Sequence, residues 1–87
     1  MRLEFLCLDE NFIKNFNNVY VLQNLRNLFI RYNKTSDFGE VEGLQAIPTL
    51  GELDMSNTPL SRKYGYRLMM FQKLPNLRIL DGMVESV

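Results

Sequence analysis

The sequence predicts an α/β fold: a short right-handed solenoid with a parallel concave sheet, 3₁₀ or helical segments on its convex side, and a closing element at the C-terminal end. Three observations carry this prediction. A spaced row of leucines opens the chain and recurs twice. Between the copies, apolar residues continue at steps of three. The last third changes character, with a helix-like run stopped by Pro75 and a leucine pair, Leu77 and Leu80, ahead of Asp81 and Gly82.

The first copy is LEFLCLDENFI, with Leu3, Leu6, Leu8, Asn11 and Ile13. Its spacing fits neither a helix nor a plainly alternating strand. It returns as LRNLFIRYN, with Leu25, Leu28, Ile30 and Asn33, and as LGELDMSNT, with Leu50, Leu53, Met55 and Thr58 in the asparagine place. The steps are 22 residues from Leu3 to Leu25 and 25 from Leu25 to Leu50. One return series runs Asn11, Ile13, Phe16, Val19, Leu22, Leu25. The other runs Asn33, Thr35, Phe38, Val41, Leu44, Ile47, Leu50, one three-residue step longer. Three residues per turn is the 3₁₀ period, so these series put one row of side chains on one side. A single coil cannot bury its leucine row, whereas stacked coils can. The prediction is therefore three or four strands of about three residues each, with the leucines inward and the residues between them on the concave face.

An 87-residue chain supports one domain, 1–87, with repeats at about 3–24, 25–49 and 50–73 and a cap at about 56–82. An apolar content of 46% argues against disorder. Ten basic and ten acidic residues cancel, with no basic tract that would serve as a footprint for nucleic acid or an anionic membrane. The single cysteine, Cys7, cannot form an internal disulfide, which points to a reducing compartment. No segment approaches the roughly 20 apolar residues that cross a bilayer, and the N-terminus lacks the pattern of a signal peptide. The chain thus reads as soluble and intracellular.

The repeat pattern resembles the leucine-rich repeat. In that family the L-x-L segment is a short parallel strand and the asparagine bonds to backbone in the bend. DMSNTPLSRKYGYRLMMFQKLPNLRILDG resembles the C-terminal cap of the subclass with repeats of about 22 residues, a group with phosphatase-regulatory, spliceosomal and axonemal members. Pro59, Tyr66, Arg67, Leu74, Pro75, Leu77, Leu80, Asp81 and Gly82 occupy the motif positions. The departure is Thr58, where the family has asparagine before the proline, with Asn57 displaced by one. The resemblance implies a structural hydrogen-bonding role for Arg67 and a structural rather than catalytic place for Asp81. The run YRLMMFQKL itself reads as a short helix with Met70, Phe71 and Leu74 on its buried side, ended by Pro75. The family ranges over cytoplasm, nucleus and cilium or axoneme, and the cytoplasm is the first expectation here. Nothing like a cap precedes Leu3, so the chain reads as a fragment of a longer array, with an edge contact expected at the uncapped first coil.

The sequence holds no histidine, which removes the usual general base and the commonest metal ligand. One cysteine excludes a clustered-thiolate zinc site, and the five glycines form no phosphate loop. No catalytic, cofactor-binding or metal-ligating residue is assigned, and no cofactor is implied. The expected function is non-catalytic protein–protein interaction through the concave face, with a helix or extended segment of another protein as partner, and neither nucleic acid nor membrane contacted directly. The candidate binding residues are Phe5, Cys7 and Asp9 from the first coil, Asn27, Phe29, Arg31 and Tyr32 from the second, and Glu52, Asp54 and Ser56 from the third. Phe5, Cys7 and Phe29 would form an apolar patch beside a charged band of Arg31, Glu52 and Asp54. The alternative is a purely structural repeat and capping segment of a larger protein whose binding site lies elsewhere.

Overall fold

Each leucine comb makes one short strand, because only the L-x-L core of the repeat is flanked by neighbours in register. A computed structural model describes residues 2–85, with Tyr20 described for its main chain only. The strands are β1 (Phe5–Cys7), β2 (Asn27–Phe29), β3 (Glu52–Asp54), β4 (Ile79–Leu80) and β5 (Met83–Val84), in one five-stranded sheet ordered as in the sequence. The first four run parallel. Their register aligns Leu6, Leu28, Leu53 and Leu80 in one inward row across the sheet. Leu28, Leu53 and Leu80 are buried.

The fifth strand was not expected. Asp81 and Gly82 both have positive φ, 54° and 79°, so the chain reverses there and Met83–Val84 pairs antiparallel with β4. The first coil also departs from the expectation of inward leucines. Leu3 and Leu8 are 36% and 37% exposed and Leu6 is only partly buried. The reason is that β1 is the sheet edge, so no neighbouring coil covers its outer side.

After each comb one residue adopts the left-handed conformation and turns the chain out of the sheet: Glu10 (φ 60°), Tyr32 (58°) and Asn57 (62°). The next residue ties the bend to backbone. Asn33 is buried, and its amide nitrogen donates to the carbonyls of Leu8 (3.0 Å), Ile30 (3.0 Å) and Arg31 (3.2 Å). Its Oδ1 accepts from the Ile13 N–H at 2.9 Å, linking the first and second coils. Thr58 makes the local part of this pattern, its hydroxyl donating to Met55 O at 2.7 Å and accepting from Ser61 N at 3.2 Å. The cross-coil link comes instead from main chain, Leu60 N to Thr35 O at 3.0 Å. The shift of Asn57 has a physical reason too, since asparagine tolerates the left-handed bend better than most residues.

The convex side is 3₁₀ at Val19–Val21, Phe38–Ala46 and Leu60–Arg62. The long middle segment starts where Glu40 Oε1 accepts from Ser36 N (2.8 Å) and Asp37 N (3.0 Å), which holds the Glu40 carboxyl below its ordinary range. Val41, Leu44 and Ile47 then face the core. Gly43 is obligatory for stacking, because a Cβ there would lie 2.1 Å from the Phe16 carbonyl oxygen.

The cap helix α1 (Tyr66–Lys73) follows Gly65, itself left-handed at φ 75°. Met70 and Leu74 are buried, Phe71 is partly buried, and Pro75 stands just past the C-terminal end. Arg67 donates to Leu80 O at 2.9 Å and Met83 O at 3.4 Å, and its guanidinium lies 5.3 Å from the Phe71 ring centroid. That pins the helix to the final hairpin, the structural role the motif implied.

Candidate protein-binding face

Because inward and outward residues alternate along a strand, the registered neighbours of the leucine row project from the opposite, concave face. One row is Phe5, Asn27, Glu52 and Ile79, and the next is Cys7, Phe29 and Asp54. Phe5 and Phe29 meet diagonally, their ring centroids 5.2 Å apart with planes at 38°, within the range of favourable aromatic pairs. The free thiol of Cys7 is exposed beside them. Of the three residues expected to form an apolar patch, Phe5 and Phe29 are in contact, with Cys7 exposed in register with Phe29.

The charges are arranged differently from the expected band. Arg31 turns toward the first coil, donating from Nε (3.0 Å) and Nη2 (2.7 Å) to Asp9 Oδ2 while its main-chain N–H donates to Oδ1 at 2.7 Å. The Arg31 side chain, chiefly by these bonds, lowers the Asp9 carboxyl below its ordinary range, and Asp9 in turn raises the Arg31 guanidinium. Glu52 accepts from the Asn27 amide at 2.9 Å. Asp54 accepts from the Ser56 N–H (3.0 Å) and hydroxyl (2.6 Å). Neither Glu52 nor Asp54 forms an ion pair among the described residues. Tyr32 stands apart from the sheet, in the bend at its rim, and is 54% exposed.

Asp81 adds a third carboxylate beside Asp54. Burial chiefly raises its proton affinity, and the Asp54 charge adds to this. Its Oδ1 accepts from Met55 N at 2.7 Å, so it is a structural bond between the cap and the third coil. The Tyr66 hydroxyl lies close enough to Asp81 to bias its ionisation, yet it is buried without a hydrogen bond of good geometry; burial pushes this phenol up. Sequence reasoning missed Val84, which is 68% exposed and pairs with Ile79 to continue the face beyond β4. Its signal was the Asp-Gly pair, a common hairpin turn.

No group of three or more histidine, cysteine, aspartate or glutamate residues is placed to hold a metal ion among the described residues. Among these residues no helix is long and apolar enough to cross a membrane.

Comparison with known proteins identifies the repeat fold. The U2 small nuclear ribonucleoprotein A′ of Schizosaccharomyces pombe is 33% identical over 61 residues, 70% of this chain and 26% of that protein. Human leucine-rich repeat-containing protein 36 is 36% identical over 80 residues, 91% of this chain and 11% of that protein. In the crystal structure of the Drosophila melanogaster SNF/U2A′ complex, a chain superimposes with a TM-score of 0.91 at 28% identity, covering 98% of this chain and 50% of that one. The chain therefore spans half or less of each of these proteins. A family model described as leucine-rich repeat matches residues 1–84. With its combs in register, its asparagine bends and its cap in place, this chain belongs to the leucine-rich repeat family.

Proposed function

We propose that the chain is a non-catalytic protein-interaction scaffold whose concave face docks a segment of another protein. One observation carries this reading: the Phe5/Phe29 pair and the Ile79/Val84 pair lie on either side of Glu52 and Asp54, two carboxylates with no cation paired to them among the described residues. A partner helix or strand laid across the sheet would be apolar at both ends and basic between them. Five strands at a spacing of about 4.8 Å span about 19 Å, the length of roughly 13 helical residues. The basic residue would set register and specificity more than affinity. Arg31 needs no acid from the partner, because Asp9 already fills its fork. The solved U2A′ chain is in a complex with SNF, which supports a protein as the partner class. The names of relatives such as U2 small nuclear ribonucleoprotein A′ support a nuclear setting over the cytoplasm first expected.

The test is affinity capture from extract followed by calorimetry on the captured partner. Phe29→Ala with Glu52→Lys should weaken binding by at least about 2 kcal/mol if these are central contacts, while the circular dichroism spectrum stays unchanged. Unaltered affinity in the folded variant would move the binding site off this face.

A second reading, a structural repeat-and-cap segment of a larger protein, is supported by the outer end of the first coil. There Leu3 and Leu8 stand 36% and 37% exposed on the side a preceding coil would cover, and an apolar hollow of about 160 Å³ runs in from Leu6, Leu8 and Ile13 to the buried Leu25, Leu28 and Ile47. Sequence upstream of Leu3 in the parent gene distinguishes the two readings.

A further inference from the structure

The bends at the strand C-terminal rim enclose a second feature that the concave face does not use. Between the second and third coils lies a hollow of about 250 Å³, lined by Tyr32, Lys34, Asn57, Pro59 and Arg62 over the buried Asn33 and Thr58. No acid lines it, although acids and bases are equal in number along the chain. The four ion pairs among the described residues use Arg26, Arg31, Lys63 and Lys73, so Lys34 and Arg62 are left unpaired. Asp37, the acid paired with Lys63 next to Arg62, is already engaged at 3.2 Å.

The frame of the hollow is fixed by main-chain bonds. Tyr32 N donates to Ser56 O (3.2 Å), Lys34 N to Ile13 O (2.8 Å) and Arg62 N to Pro59 O (3.2 Å). Asn33 and Thr58 beneath have spent their polar groups on the bends. Four groups remain for a ligand: a guanidinium fork, an ammonium, the Asn57 amide and an exposed phenol ring.

We infer that this rim hollow binds the carboxylates of an acidic peptide segment, with the Arg62 fork and Lys34 on the carboxylates, Asn57 on the peptide backbone and Tyr32 against the side-chain stem. Arginine matches a carboxylate with two parallel bonds, and lysine adds a point charge. A polynucleotide would need basic contacts spread over many phosphates. This rim offers two cations, a fork and a point charge suited to one or two carboxylates. The inference goes beyond the concave-face reading and does not depend on it.

The test is an NMR titration of the full chain with capped hexaglutamate, using hexaglutamine and octauridine as controls. Backbone shifts concentrated at Tyr32, Lys34, Asn57 and Arg62 are expected, absent with hexaglutamine. Lys34→Gln with Arg62→Gln should weaken binding at least tenfold while the spectrum keeps its dispersion, and Phe29→Ala should leave it intact. Shifts scattered over Arg2, Arg26 and Arg78, undiminished binding in the double variant, or tighter binding of octauridine would each overturn it.

Discussion

Asp9 holds Arg31 at two levels: Oδ1 accepts the main-chain N–H at 2.7 Å, and Oδ2 accepts the guanidinium Nη2 at 2.7 Å. One carboxylate thus fastens both the backbone and the side chain of the second coil to the first. Its lowered pKa gives the pH dependence a definite sign. The charged form is favoured in the fold, so the stabilisation is complete above the ordinary value of 3.8 and is lost as pH falls through the lower, folded value. Thermal melts between pH 6 and pH 2 should show this loss, and Asp9→Asn should flatten that part of the profile. An unchanged profile in the variant would mean the pair contributes nothing to folding.

Asp81 should behave in the opposite sense. Its folded pKa is raised, chiefly by burial, so between 3.8 and that value the folded chain binds more protons and stability falls as pH rises. Asp81→Asn keeps an oxygen for the Met55 N–H and tolerates the positive φ. It should match or exceed the parent in melting temperature at pH 7. Asp81→Ala leaves that N–H unmet and should cost about 1–3 kcal/mol in urea denaturation.

The Leu53 side chain is fully buried in the middle of the leucine row. Leu53→Ala should cost about 2–5 kcal/mol, as comparable core truncations do. In a domain this small that loss should abolish the cooperative urea transition at 37 °C, or bring its midpoint close to zero denaturant.

Gly43→Ala tests the contact between coils against helix propensity. In an open helix the change would help by about 1 kcal/mol. Here the new Cβ would meet the Phe16 carbonyl at 2.1 Å, a backbone atom that no rotamer change can move. The variant should instead lose about 1–3 kcal/mol through overpacking, measured by chemical denaturation. A stabilised variant would show that the coils are less closely seated.

What the sequence made legible was whatever repeats. Leu28, Leu53 and Leu80 announce the inward row, the three-residue steps announce the 3₁₀ segment over Phe38–Ala46, and YRLMMFQKL announces the cap helix. The outward positions followed by alternation, so the Phe5/Phe29 contact could be expected from spacing alone. Which charges pair could not. Arg31 had Asp9, Glu52 and Asp54 as partners on adjacent strands, and the choice rests on side-chain geometry that periodicity does not encode. The bends at Glu10 and Tyr32 were equally hidden, because neither residue type signals a left-handed backbone. The exposure of Leu3 and Leu8 reflects position in the stack rather than residue type.

That uneven coverage of the leucine row has a kinetic consequence. In a linear stack each coil is stabilised by its neighbours, so opening starts where neighbours are fewest. Leu80 is fully buried between β3 and the final hairpin, whereas Leu6 is only partly buried in the edge strand β1. Amide exchange should therefore be slower at Leu53 and Leu80 than along β1, a gradient running from β1 to β4. Where no further coil covers it, the first coil would detach and re-dock many times during the life of one intact third coil, leaving Phe5 a transient member of the concave face and Phe29 a lasting one.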